Sequence, residues 1–284
     1  MAETESTYTA ILQQAITAAE STLCVGLDPN PDRIPAHLIS QSDSMASAFH
    51  RFCLGIIEAT SDYCVAYKPN IAFFEALGPD GIDVFADVVD AIPDEKICIA
   101  DAKRGDIGTT AQQYDTAFFK HYGVDALTVN PLMGMDTLNV YADHPSKSLY
   151  VLTLTSNPGA ADFLLQSDSH DQLLATRIAT RLRDAQSNSQ THLGMVVGAT
   201  NADHATAVLQ AHPQAALLIP GIGAQGGSVD LLARQLRSHA GMPLISSSRS
   251  IIYADTSANG WKQGAAQAAQ QTKAKLDPIT DRYV

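Results

Sequence analysis

Eight short, continuous apolar runs recur along the chain, and they constrain the fold more than any other feature. They are Leu23–Asp28, Cys64–Pro69, Ile97–Asp101, Ala126–Asn130, Leu149–Leu154, Leu193–Val197, Ala216–Pro220 and Pro243–Ser246. Each is too brief for a helix, and none alternates polar with apolar residues, as expected of strands buried on both faces. Their starts are 23 to 44 residues apart, room for a strand, a crossover helix and two loops. Between them, Ser44–Thr60 and Thr109–His121 carry apolar residues at helical spacing, and Asn201–Ala211 and Ser257–Lys275 are rich in Ala and Gln. Strict alternation without a linker predicts an α/β protein, a single-domain (β/α)8 TIM barrel over residues 1–284 with its barrel core near 23–276. A doubly wound open sheet is the alternative.

Composition narrows the function. The 284 residues carry 18 Lys and Arg against 30 Asp and Glu, a formal charge of −12. Such a field repels nucleic acid and anionic membrane surfaces, so neither is expected as a partner, and any phosphate needs a local cradle. No run of about 18 uncharged apolar residues occurs, so no membrane span is expected. The first 20 residues lack a basic stretch followed by an apolar one, so no secretory signal is expected either. Cys24, Cys53, Cys64 and Cys98 lie in apolar surroundings without metal-ligand spacing, as reduced, buried thiols of a cytoplasmic protein would. None of the nine histidines falls in a zinc-ligand pattern, and no metal site is predicted.

In such a barrel, chemistry gathers where strands end and the following loops begin. Asp28, Lys68, Asp101 with Lys103, Asn130, Ser156, Gln225 and Arg249 all fall there. The densest cluster is Asp101-Ala-Lys103-Arg-Gly-Asp106. Alternation along a strand points Asp101 and Lys103 to one face, and Asp106 is expected on the first turn of the next helix, favoured by its dipole. Lys68 closes another strand towards the same mouth. Clustered charges of this kind are poor stabilising devices but are common where pKa values are tuned for catalysis.

Pro220-Gly-Ile-Gly-Ala-Gln-Gly-Gly227 formally matches a dinucleotide fingerprint. It follows the seventh strand instead of opening the first βαβ unit, and no acidic residue stands about 20 positions on, so a dinucleotide is rejected. Gly223, Gly226 and Gly227 instead suit a phosphate loop, with the Arg249 guanidinium offered from the next one. The stretch from Thr155 to Asp171 reads as a long loop able to act as a lid.

These motifs resemble those of the orotidine 5′-monophosphate decarboxylase family, particularly its longer bacterial form, from about Leu23 to Tyr253. The likeness rests on Val25–Pro29, Tyr67–Asn70, Asp101–Gly108, Thr128–Pro131, Pro220–Gly227 and Ser248–Tyr253, in that order. It implies a dimeric barrel that needs neither metal nor organic cofactor. It further implies that orotidine 5′-monophosphate is the substrate and that Lys103 delivers a proton to C6 of the pyrimidine. Asp101 would stand beside the departing carboxylate, and Lys68 would hold Asp101 and the ribose hydroxyls. Asp106 would complete the network from the partner subunit, with Ile107 and Thr110 beside it. Asp28 would bind ribose, Ser156 the pyrimidine, and Gln225 and Arg249 the phosphate. The long polar stretch Ala160–His192 departs from the family pattern, so lid residues beyond Ser156 are not carried over.

Three alternatives stay open on the residues alone. One is a related sugar-phosphate barrel working through a metal-stabilised enediolate, and another a Schiff-base aldolase using Lys68 or Lys103. The third is a non-catalytic phosphate-ligand binder.

Overall fold

Every apolar run becomes a strand. The computed structural model describes residues 6–199, 202–221 and 228–284. The strands are β1 Leu23–Leu27, β2 Ala66–Pro69, β3 Ile97–Arg104, β4 Ala126–Val129, β5 Ser148–Leu154, β6 His192–Val197, β7 Leu217–Pro220 and β8 Pro243–Ser247. They pair in parallel in sequence order, and β8 returns to β1 through Leu23↔Ile245 and Cys24↔Ser246 to close the barrel. The (β/α)8 prediction holds and the open sheet is excluded. Continuity of the apolar runs has a direct cause: β1, β2 and β4 are buried at every position, inward against the barrel filling and outward against helices.

Helices form where capping and periodicity agree. Met45–Thr60 is capped by Ser44, whose side chain accepts from Ser47 N–H at 3.1 Å, and it buries Phe49, Phe52, Cys53 and Ile56. The stretch expected as one helix over Thr109–His121 is α-helical over Gly108–Asp115 and π-helical over Thr116–His121. The expected Ser257–Lys275 helix starts later, at Trp261, where Asp255 holds the Ser257 N–H in a turn at 2.7 Å, and runs on to Thr280. All four cysteines are free and buried. No described helix is long and apolar enough to cross a membrane.

A helix over Tyr8–Ala19, ahead of the first strand, packs at the end where strands begin. Tyr8 meets the Tyr150 hydroxyl at 2.9 Å and stacks on His192, the first residue of β6. Its Tyr8, Leu12 and Ile16 side chains are fully buried. The opposite, carboxyl end of the strands stays open.

Candidate active site

Charged chemistry at the open end is organised by an irregularity in β3. Ala100 pairs with Leu127 and Arg104 with Val129, so β3 advances four residues while β4 advances two. The excess falls on Asp101, Ala102 and Lys103. Lys103 takes up the bend with φ +48°, a left-handed conformation that costs a non-glycine residue about 1 kcal/mol or more. The adjoining Gly105 passes so close to β4 that a Cβ there would sit 2.8 Å from the Asn130 carbonyl oxygen. Only glycine fits without displacing that backbone.

Asp101 and Lys103 meet as alternation predicted, though through this bulge and not along a regular strand. Lys103 Nζ donates to Asp101 Oδ1 at 2.5 Å, and Lys68 Nζ, from β2, donates to Oδ2 at 2.5 Å. Lys68 and Asp101 are both buried, whereas half of the Lys103 side chain is exposed. Burial alone would lower the pKa of Lys68, but attraction by Asp101 and then Asp28 outweighs it and holds the ammonium above the ordinary lysine value. For Asp101, burial pushes upwards and is overcome by Lys68 and Lys103, so its carboxyl stays well below the usual carboxylate range. Each of these two groups holds the other in its charged form.

This array forms part of the wall of a cavity of about 320 Å³ at the open end of the barrel. Asp28 enters from the end of β1, and its Oδ1 is buried with no hydrogen-bond partner among the described residues. Ser156 borders the cavity after β5, and Arg249, first residue of the short helix Arg249–Ile252, borders it after β8. Leu152, Val196 and Leu218 supply an apolar wall from β5, β6 and β7. The lining therefore combines the charged array with apolar side chains and a guanidinium. That combination suits a largely apolar ring that also carries anionic groups.

Asp28, Lys68, Asp101, Lys103, Ser156 and Arg249 are thus brought together as predicted. Asp106, Ile107 and Thr110 do not line the cavity of their own chain. Asp106 also corrects an expectation: it precedes the helix, which starts at Gly108, instead of lying in its first turn, and its Oδ1 accepts from the Ile107 N–H at 2.8 Å. Ile107 is 58% exposed. Gln225, Gly223, Gly226 and Gly227 lie outside the described residues; Gly221, at φ +103°, leads into them from the cavity wall. Among the described residues, no three His, Cys, Asp or Glu side chains gather as a metal-binding set. The stretch after β5 is more structured than a plain loop, with a short helix over Ala160–Phe163 and a bridge between Ser167 and Leu173.

Sequence reasoning gave no role to Thr128, Asn157, Ser246, Ser247, Ser248 or Ser250, all of which line the cavity. For Thr128 a signal existed, since it is the one hydroxyl in the apolar run Ala126–Val129.

Comparison with known proteins agrees with this geometry. The profile of the Orotidine 5′-phosphate decarboxylase / HUMPS family matches residues 21–263. An orotidine 5′-phosphate decarboxylase from Porphyromonas gingivalis is 42% identical over 259 residues, covering 89% of this chain and 91% of that protein. The solved structure of Leishmania donovani OMP decarboxylase superposes with a TM-score of 0.77 at 30% identity, over 97% of this chain and 99% of the other. Leishmania donovani UMP synthase gives 0.82 at 33% identity, but this chain, matched over 97% of its length, spans only 57% of that one. Match length, identity and the closed parallel barrel together establish that the chain belongs to the orotidine 5′-phosphate decarboxylase / HUMPS family.

Proposed function

We propose that the protein converts orotidine 5′-monophosphate to uridine 5′-monophosphate, a step of pyrimidine biosynthesis, with Lys103 protonating C6 and without metal or organic cofactor. One observation carries the reading above all: both oxygens of buried Asp101 are held by ammonium groups at the cavity wall, and of the two lysines Lys103 is the one whose side chain is half exposed.

Breaking the bond from C6 to the carboxylate releases CO₂ and leaves an electron pair on C6, in an orbital the ring π-system cannot delocalise. An ammonium already aimed at that carbon stabilises the charge as it develops, with little reorganisation. The Nζ–H bond then breaks, the proton joins the C6 pair, and the neutral amine regains a proton from solvent. Asp101 fixes the direction of Lys103 and presents negative charge to the departing carboxylate. Lys68 keeps Asp101 ionised and is assigned the ribose hydroxyls together with Asp28, whose free Oδ1 suits that role.

Ser156 is assigned the pyrimidine and Arg249 the phosphate. Gln225, Gly223, Gly226 and Gly227 would complete the phosphate cradle. Binding energy from the phosphate, remote from C6, can order the stretch after Ser156 over the cavity. The dimer is part of the same reading, with Asp106, Ile107 and Thr110 serving the partner's site. Its support is that Ile107, Leu132 and Met133 stand exposed on the loops following the adjacent strands β3 and β4, apolar surface that a second copy would cover. Four unpaired thiols fit the reducing cytoplasm.

The test is a spectrophotometric assay of orotidine 5′-monophosphate turnover in the presence of a chelator. Turnover unaffected by chelator is the expected result. Absence of turnover, or its loss on chelation, rejects the reading.

A further inference from the structure

We infer that Thr128 is a positioning residue for the reaction: its single hydroxyl sets the backbone bend that presents Lys103 and holds the carboxylate to which Lys103 is tethered. The inference rests on the decarboxylase reading for its kinetic consequence, but its geometry stands independently.

Thr128 sits in β4 opposite the bulge and is 2% exposed. Its Oγ1 accepts from Ala102 N–H at 3.0 Å and from Lys103 N–H at 2.9 Å. The hydroxyl donates to Asp101 Oδ1 at 3.1 Å, closer than its other acceptor, the Ala100 carbonyl oxygen at 3.5 Å. A hydroxyl offers one donor and two acceptor sites, so this one is fully engaged by three consecutive residues. In a regular parallel ladder two consecutive N–H groups point to opposite neighbouring strands; here both turn to one side-chain oxygen of β4 where the register slips. Removing the oxygen leaves two partly buried N–H groups without this acceptor beside a residue already held at positive φ. Relaxation of the bend is the cheapest response. It would move Lys103 Cα, and with it the ammonium.

Asp101 Oδ1 is also the oxygen that receives Lys103 Nζ. The hydroxyl therefore acts on the ammonium twice, through the main chain and through the carboxylate, without having to touch the substrate. A displacement of about 1 Å at such a group costs on the order of 10²-fold in rate. Binding of the remote phosphate should be unaffected, since Arg249 belongs to a different loop.

The experiment compares Thr128→Val, which keeps the shape, with Thr128→Ser, which keeps the hydroxyl. The expected result for Thr128→Val is a fall in kcat of about 10²-fold with KM little changed, while Thr128→Ser stays close to wild type. Equal losses in both variants, or full kcat in Thr128→Val, overturn the inference. Should Thr128→Val fail to fold, Thr128→Ala against Thr128→Ser provides the same contrast. Amide hydrogen exchange at Ala102 and Lys103 supplies a readout free of turnover, faster in the variant without the hydroxyl and unchanged in Thr128→Ser. Unchanged exchange in the hydroxyl-free variant also overturns it. If wild type proves inactive on orotidine 5′-monophosphate, the decarboxylase reading fails and exchange still decides the role of Thr128.

Discussion

Lys68 and Asp101 face each other from neighbouring strands, the ammonium nitrogen 2.5 Å from the carboxylate oxygen and both groups buried. The contact is not free-standing, because the second oxygen of Asp101 is taken by Lys103. Removing Lys68 strands a desolvated carboxylate on one partner. Lys68→Met is expected to destabilise the fold by about 3 kcal/mol, measured by urea denaturation, and to abolish turnover. The pH dependence follows from the shifts. The depressed Asp101 contributes stability above about pH 4, its unfolded value, and this is lost as pH falls below it. The raised Lys68 contributes below about pH 10.4 and loses its contribution as pH rises further.

Lys103→Ala should leave the fold intact and remove the reaction. Its side chain is half exposed, so the melting temperature should shift little, whereas turnover should fall by at least about 10³-fold. Comparable turnover in variant and wild type, in the absorbance assay, contradicts the proton-delivery role.

Arg249→Ala is expected to act on binding. A charge-assisted contact to phosphate is worth roughly 2 kcal/mol, so KM should rise about 30-fold, with kcat changed less. Initial-rate kinetics across substrate concentration separate the two effects.

Asp106 yields a test of the shared site. Asp106→Ala and Lys103→Ala subunits should each be inactive as homodimers. Refolded together in equal amounts, they form one intact site in each mixed dimer and should recover roughly a quarter of wild-type activity. No recovery, once mixed dimers are shown to form, counts against Asp106 reaching the partner's site.

Much of the architecture was legible because burial on both faces leaves unbroken apolar strands, and eight such runs leave few alternatives. Asp28, Lys68, Asp101 and Lys103 were legible because charge at the end of an apolar strand is costly without a purpose. The bulge was not. A lysine at φ +48° gives no local signal, since left-handed residues are read from Gly, Asn or Asp, and the hydroxyl that sustains the bend lies inside the apolar run Ala126–Val129. Asp106 was misplaced because a carboxylate just ahead of a helix and one in its first turn share the same spacing. The buried histidines at the far end were invisible for a further reason: they follow no ligand pattern and are brought together by strand starts distant in sequence.

Those histidines give the last prediction. Burial pushes His192 down to about 4, helped by nearby His212, and burial likewise pushes His212 down to about 4. His239 and Arg183 also oppose protonation of His212, while Asp184 favours it. His192 Nε2 accepts from Ala216 N–H at 2.8 Å, a bond that protonation at that nitrogen removes. Unfolding therefore takes up protons between about pH 6.5 and 4, and stability should fall with each histidine contributing about 1.4 kcal/mol per pH unit. His212→Gln should make that decline shallower in denaturation curves taken across the range, and an unchanged slope would contradict the assignment.

β6 begins at His192 and carries Val196 into the cavity wall. One extended rod of roughly 13 Å, at about 3.3 Å per residue, joins the proton-sensitive foot of the molecule to its reaction chamber while keeping them apart. Stability between about pH 6.5 and 4 and turnover are for that reason separable targets for engineering, the first set where the rod starts and the second where it finishes.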